Sequence, residues 1–186
     1  LREETRATFL SGANWKIILT QTVVVATAAL GMTVIIVSGG IDLTCGWVVA
    51  LSSVVAAQLL VKEQPVAYAV IAAVGTGLLL GLINGSIIAG FGLMPFIVTL
   101  GMMGVVRGLA KWMADNQAVY PPESWLDQLM AMEEPQQFWP LPPGVWIVLG
   151  LALFMALLMQ RTVFGRRVFA IGSNEATARL CGVRVG

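Results

Sequence analysis

The chain contains no histidine, only two cysteines and few charges of either sign, and each shortage removes a class of function. Without histidine it lacks the commonest general base and the commonest metal ligand. Cys45 and Cys181 stand apart, one among apolar residues and one in a basic tail, so they make no metal-binding spacing and no disulfide framework. Charged residues are 11% of the chain, against about a quarter in a soluble domain. A net charge of +1 gives no reason to expect a nucleic-acid partner. No G-x-x-x-x-G-K-[ST] phosphate loop, no G-x-S-x-G elbow and no pair of carboxylates inside an apolar stretch occurs. These absences predict no enzyme, no cofactor and no bound metal.

What fills the space is apolar. Hydrophobic residues are 58% of 186, with a mean hydropathy of +0.84. A soluble core in a chain of this length has too little interior to hide that much apolar surface. Lipid as the solvent removes the difficulty. Five stretches are long and almost free of charge: residues 17–37, 43–61, 66–91, 95–114 and 145–160. At 1.5 Å per residue such stretches cover most or all of about 30 Å of hydrocarbon. In lipid they must be helices, since a lone strand leaves its own backbone unsatisfied. The predicted fold is all-α, a polytopic transmembrane helical bundle forming a single membrane domain. The first stretch is too long for a signal-peptide core, and no A-x-A cleavage site follows it. Beginning at Leu1 and stopping in mid-pattern at Gly186, the sequence reads as a piece of a longer chain.

Charge placement orients the spans. The tail, residues 161–186, carries Arg161, Arg166, Arg167, Arg179 and Arg184, while the insert, residues 115–144, has no lysine or arginine but five acidic residues. By the positive-inside rule the tail is cytoplasmic and the insert is outside. Five crossings then put residues 1–16 outside, against the pull of Arg2, Arg6 and Lys16; the larger bias of the tail decides. In the insert, Ser124-Trp125-Leu126-Asp127 is a capping box with Asp for Glu. It predicts a short helix towards Met132, with Trp125, Phe138 and Trp139 at headgroup level.

Four features single out residues for function. Asp42 is the only charged residue between Lys16 and Lys62, and it follows the Ser38-Gly39-Gly40-Ile41 break. A carboxylate at membrane depth marks a cavity, a partner or a helix end; capping a helix that starts near Leu43 is the simpler role, and it is compatible with a broken helix lining a cavity. Gly77, Gly81 and Gly85, like Gly104 and Gly108, recur at four-residue spacing, a helix-packing signal in lipid, with Asn84 beside them. Arg107 and Lys111 lie one turn apart and are expected to snorkel to the interface. In the tail, Ser173 or Asn174 is a good N-cap, Glu175 suits the helix start, Arg179 follows at i+4, and Gly182 fits a left-handed C′ position. That pattern predicts a cytoplasmic helix of about two turns that docks a soluble partner.

Taken in order, Gly31-Met32-Thr33-Val34-Ile35-Ile36-Val37-Ser38-Gly39-Gly40-Ile41-Asp42-Leu43-Thr44, Leu82-Ile83-Asn84-Gly85, Pro95-Phe96-Ile97-Val98-Thr99-Leu100-Gly101 with Arg107-Gly108, and the tail from Phe164 resemble the permeases of sugar-type ABC importers, the ribose/xylose/arabinose/galactose group. The resemblance implies part of a type II importer permease, a multi-pass protein of the bacterial inner membrane. It implies a path for a monosaccharide or similar small polar solute. The resemblance further implies a second permease subunit, an ABC ATP-binding subunit docked on the tail and a periplasmic solute-binding protein outside, with membrane lipid around. Gly39, Gly40, Asp42, Thr44 and Asn84 would lie along the pathway. Gly165, Arg166, Arg167, Gly172, Asn174, Glu175, Arg179 and Gly182 would belong to the ATPase-coupling region. Members usually read Leu-Ser-Val-Gly-Ser after the aspartate; here Thr44 and Trp47 replace both serines. A secondary transporter or channel is the competing reading, and it would need intramembrane charge beyond Asp42.

Overall fold

A computed structural model describes residues 9–130 and 141–183. The described residues are helical with no strand: α1 Gly12–Val37, α2 Cys45–Val61, α3 Val66–Phe91, α4 Pro95–Met113, a short 3-10 helix Asp127–Met130, α5 Pro143–Arg161, α6 Val163–Ser173 and α7 Glu175–Leu180. Four of them, α1 from Asn14 together with α3, α4 and α5, are long and apolar enough to cross a membrane by length and composition. Helix α2 is apolar but has 17 residues. It begins at Cys45, two residues later than the stretch read from the sequence, because the chain up to Thr44 is held in a turn. Large apolar side chains such as Ile71, Leu78, Leu82, Leu153 and Phe154 stand exposed along these helices, as lipid-facing residues do.

The ends of the helices follow local chemistry. Pro95 and Pro143 open α4 and α5 at the first turn, where no backbone N–H is missed and φ is already helical. Helix α3 closes on Gly92 at φ 64°, a left-handed C-terminal position that glycine takes without steric cost. Inside α1 the hydroxyls of Thr20, Thr22 and Thr27 donate to the carbonyls of Lys16, Ile18 and Val23 at 2.7–2.8 Å, so none is left bare in an apolar surrounding.

The chain divides into two compact units, residues 1–31 with 123–165 and residues 32–122 with 166–186. In the first, α5 packs on the 3-10 helix: a Cβ on Gly144 would lie 3.0 Å from the Leu129 carbonyl oxygen and 3.2 Å from the Met130 sulfur. The Asp127 carboxylate accepts from the Ser124 backbone N–H at 2.7 Å, one half of the expected capping box. The reach towards Met132, and Phe138 and Trp139, lie outside the described residues. In the second unit α2, α3 and α4 enclose a core of Leu51, Leu80, Val106 and Ala110, against which Trp47, Val48, Val55, Met102 and Met113 pack. The Gln58 amide donates to the Met113 carbonyl at the far end of this packing.

Candidate functional site

The candidate pathway residues lie in the second unit, and they start from the way α1 ends. Gly40 N–H donates to the Ile35 carbonyl at 2.8 Å and Gly39 N–H to that of Ile36 at 3.0 Å, with Gly39 at φ 86°. This is the paired pattern of a Schellman stop, which needs a left-handed residue at Gly39. Beyond it the chain turns through Ile41 and Asp42. The Asp42 Oδ1 accepts from the Thr44 backbone N–H at 2.7 Å and from the Thr44 hydroxyl at 2.6 Å. Asp42 therefore forms an Asx turn two residues ahead of the α2 N-cap rather than capping the helix directly; the N-cap position is Thr44, whose own side chain makes no capping bond.

Two further helices close the site. Asn84, on α3, donates from Nδ2 to the Thr44 hydroxyl oxygen at 3.2 Å. Thr99, on α4, donates within its own helix to the Pro95 carbonyl at 2.9 Å and lies 3.2 Å from the Ile41 carbonyl. Thr44, Asn84 and Thr99 are buried. Together these elements surround a cavity of about 300 Å³, whose polar lining is Ser38, Asp42, Asn84 and Thr99. That is at the small end of ligand-pocket sizes.

Of the sequence-predicted pathway residues, Gly40, Asp42 and Asn84 line the cavity. Gly39 shapes the turn, and Thr44 stands behind the wall joining Asp42 to Asn84. Thr99 and Ser38 are lining residues that sequence reasoning did not single out; a hydroxyl within the Pro95–Gly101 block was the available signal for Thr99. The glycine stripe divides in two. A Cβ on Gly77 would meet Val48 and Ser52 of α2 at 3.8 and 3.9 Å, whereas Gly81, Gly85, Gly104 and Gly108 have nothing within 4 Å. Gly81 and Gly85 line the cavity, where a missing side chain leaves room. Arg107, expected at the interface, has its guanidinium 5.1 Å from the Trp47 ring centroid, within cation–π range. The Trp47 indole thus packs on the core of α2, α3 and α4 and carries this cation.

The tail carries the second group. Thr162 caps α6, its hydroxyl oxygen accepting from Gly165 N–H at 3.2 Å. A Cβ on Gly165 would collide with the Met159 backbone, so the corner between α5 and α6 needs glycine there. A Cβ on Gly172 would collide with the Val37 carbonyl oxygen, immediately before the Schellman stop of α1. Asn174 caps α7, its Oδ1 accepting from Thr177 N–H at 2.9 Å. Glu175 and Arg179 pair at 2.7 Å, and Gly182 sits at φ 80° with Val183 N–H donating to the Ala178 carbonyl at 3.0 Å. Arg166 and Arg167 are exposed; Arg184 lies outside the described residues. Because the Glu175–Arg179 pair is exposed it contributes only about 0.3–0.5 kcal/mol. The cap matters more: Asn174→Ala is expected to cost α7 about 1 kcal/mol, read as faster amide hydrogen exchange across residues 175–180.

No group of three or more histidine, cysteine or acidic residues able to hold a metal occurs among the described residues. The family described as branched-chain amino acid transport system / permease component matches residues 14–186. Among curated proteins, the chain is 32% identical over 182 residues to the fructose import permease protein of Rhizobium meliloti, covering 95% of this chain and 51% of that one. It is 33% identical over 177 residues to the ribose import permease protein of Haemophilus influenzae, covering 95% and 55%. It is 35% identical over 196 residues to the galactose/methyl galactoside import permease protein of Escherichia coli, covering 96% and 58%. The chain thus spans about half the length of these relatives. No solved structure matches it at a significant level.

Proposed function

Since this chain belongs to the branched-chain amino acid transport system / permease component family and is a multi-pass membrane protein, we propose that it is part of the permease subunit of an ATP-driven importer. It forms the path for a monosaccharide or similar small polar solute across the bacterial inner membrane. The observation that carries this reading is the cavity where the broken chain after α1 meets α3 and α4. Non-helical backbone at membrane depth is tolerated where it lines a cavity or lies within protein, and here it brings a carboxylate, an amide and two hydroxyls to one small space. Relatives named for fructose, ribose and galactose import support a sugar as cargo. Gly39, Gly40, Asp42, Thr44 and Asn84 are the pathway residues in this reading.

The tail is the contact for the partner that hydrolyses ATP, since the chain has no phosphate loop of its own. Helices α6 and α7, joined at the Asn174 cap, present Arg166, Arg167, Glu175 and Arg179 to solvent. A periplasmic solute-binding protein and a second permease subunit complete the assembly. The full-length permease, solubilised in mild detergent, should carry an ATP-hydrolysing subunit with it through purification. Glu175→Arg, or deletion of residues 172–182, should abolish that association while the permease stays in the membrane. Association that survives both changes refutes the docking assignment.

A further inference from the structure

The hydrogen-bond direction in the cavity is determined, and it says what the cavity lacks. Asp42 Oδ1 already accepts the Thr44 backbone N–H, so it is an acceptor, and the Thr44 hydroxyl 2.6 Å away must donate to it. With its single hydrogen committed, the Thr44 oxygen can only accept from Asn84. The amide of Asn84 therefore turns its Nδ2 to Thr44 and holds its carbonyl away from it. An amide orientation is normally ambiguous, and here the network settles it. The carbonyl Oδ1 is buried, receives no hydrogen bond from any described protein group, and belongs to a residue 94% buried that lines the cavity. Leaving such an acceptor unmet is costly.

The other side chains of the lining cannot supply the missing donor. The Ser38 hydroxyl donates to the Ile35 carbonyl at 2.8 Å and the Thr99 hydroxyl to that of Pro95 at 2.9 Å. Asp42 Oδ2 makes no hydrogen bond among the described residues and is a further acceptor. Apart from the second N–H of Asn84, the side-chain groups with spare capacity are acceptors, set among apolar residues such as Ile35 and Ile88.

We propose that the Asn84 carbonyl recognises a hydroxyl of the solute, with Asp42 Oδ2 as its neighbouring acceptor, so that the cavity takes an uncharged polyhydroxylated solute in preference to one bearing a carboxylate. This rests on the permease reading above. A hydroxyl group donates to Asn84 and satisfies it. A carboxylate is repelled by the like charge of Asp42 and has no hydrogen to donate to the Asn84 carbonyl. The amino-acid cargo in the family's description is disfavoured through its carboxylate: its ammonium can donate to Asp42 and Asn84, but its carboxylate meets no side-chain donor in the lining beyond the second N–H of Asn84.

The test is uptake of radiolabelled D-ribose and D-galactose, each beside its single-deoxy analogues, by cells carrying the full-length transporter with and without Asn84→Leu. The ratio of parent to analogue uptake, compared between the two permeases, cancels the contributions of all other subunits. Asn84→Leu is expected to lower parent-sugar uptake about tenfold and to move the ratio for one analogue about tenfold towards unity. A uniform loss across parent and all analogues, or no change in any ratio, overturns the inference while leaving the permease reading in place. L-Leucine uptake by the unsubstituted transporter should be absent; its presence overturns the inference even if Asn84→Leu does not accumulate. Failure of the unsubstituted transporter to take up any probe overturns both.

Discussion

Thr44→Val is expected to destabilise the full-length permease by about 1–3 kcal/mol, seen as a lower thermal midpoint in detergent, whereas Thr44→Ser, which keeps both hydrogen bonds and loses one buried methyl, should cost about 1 kcal/mol and leave solute discrimination unchanged. Valine matches threonine in shape, so packing is preserved and the hydroxyl alone is removed. Thr44 is 1% exposed, and its hydroxyl bonds in two directions, accepting from Asn84 and donating to Asp42. Without it the Asn84 Nδ2 becomes a buried donor with no acceptor, and Asp42 keeps only the backbone N–H of residue 44. Interhelical hydrogen bonds between membrane helices average about 0.6 kcal/mol, so the Asn84 bond is the smaller share and tethering of the turn the larger. Thr44→Val should also release the Asn84 amide to rotate, weakening solute discrimination. Combined with Asn84→Leu it should cost less than the sum of the two, since both break one chain of bonds. Additive effects would mean that Thr44 and Asn84 act independently.

Gly172→Ala should lower the thermal midpoint as well, by an amount corresponding to about 1–3 kcal/mol of overpacking, and Gly172→Val by more. The obstacle is the Val37 carbonyl oxygen. Backbone cannot rotate out of the way as a side-chain tip would, so α6 must shift from the end of α1. The carbonyl also belongs to the last residue before the Ser38–Thr44 turn, so the strain is delivered to the cavity wall, and uptake should fall along with stability. Gly104→Ala is the matched control: it is also a helical glycine, but nothing lies within 4 Å of its Cβ position. There the change should be neutral or stabilising by up to about 1 kcal/mol, because alanine is the better helix former. A loss at Gly104 comparable to that at Gly172 would instead put the α4 face against another subunit.

Much of the fold was legible residue by residue. Residues 66–91 and 95–114 emerge as α3 Val66–Phe91 and α4 Pro95–Met113 because apolar runs bounded by glycine and proline carry both the lipid preference and the stop signals. The tail was equally open to reading: Asn174 as cap, Glu175 with Arg179, and Gly182 as the left-handed closing residue all act within one or two helical turns. Asp42 was legible in part. Its isolation in an apolar stretch marked it, but a capping residue and an Asx turn two residues earlier differ only in backbone geometry, and composition is blind to that.

Three particulars needed the folded chain. Asn84 finds Thr44 across 40 positions and Thr99 reaches Ile41 across 58, separations at which no local pattern specifies a partner. Four-residue glycine spacing reads the same whether the helix face meets another helix, as at Gly77, or leaves room for a cavity, as at Gly81 and Gly85. Gly172 was singled out in the sequence only as part of the coupling region, and its close approach to the Val37 carbonyl exists only in the folded chain. Amino-acid order alone marks the long apolar helices and the caps of α7, since lipid solvation and capping are satisfied within a few turns, whereas the start of α2 at Cys45 and the helix Val163–Ser173 were not read from it. Which buried polar groups meet, and which acceptor is left for a solute, depends on how the helices pack, since a hydrogen bond formed across packed helices exists only once both have come together.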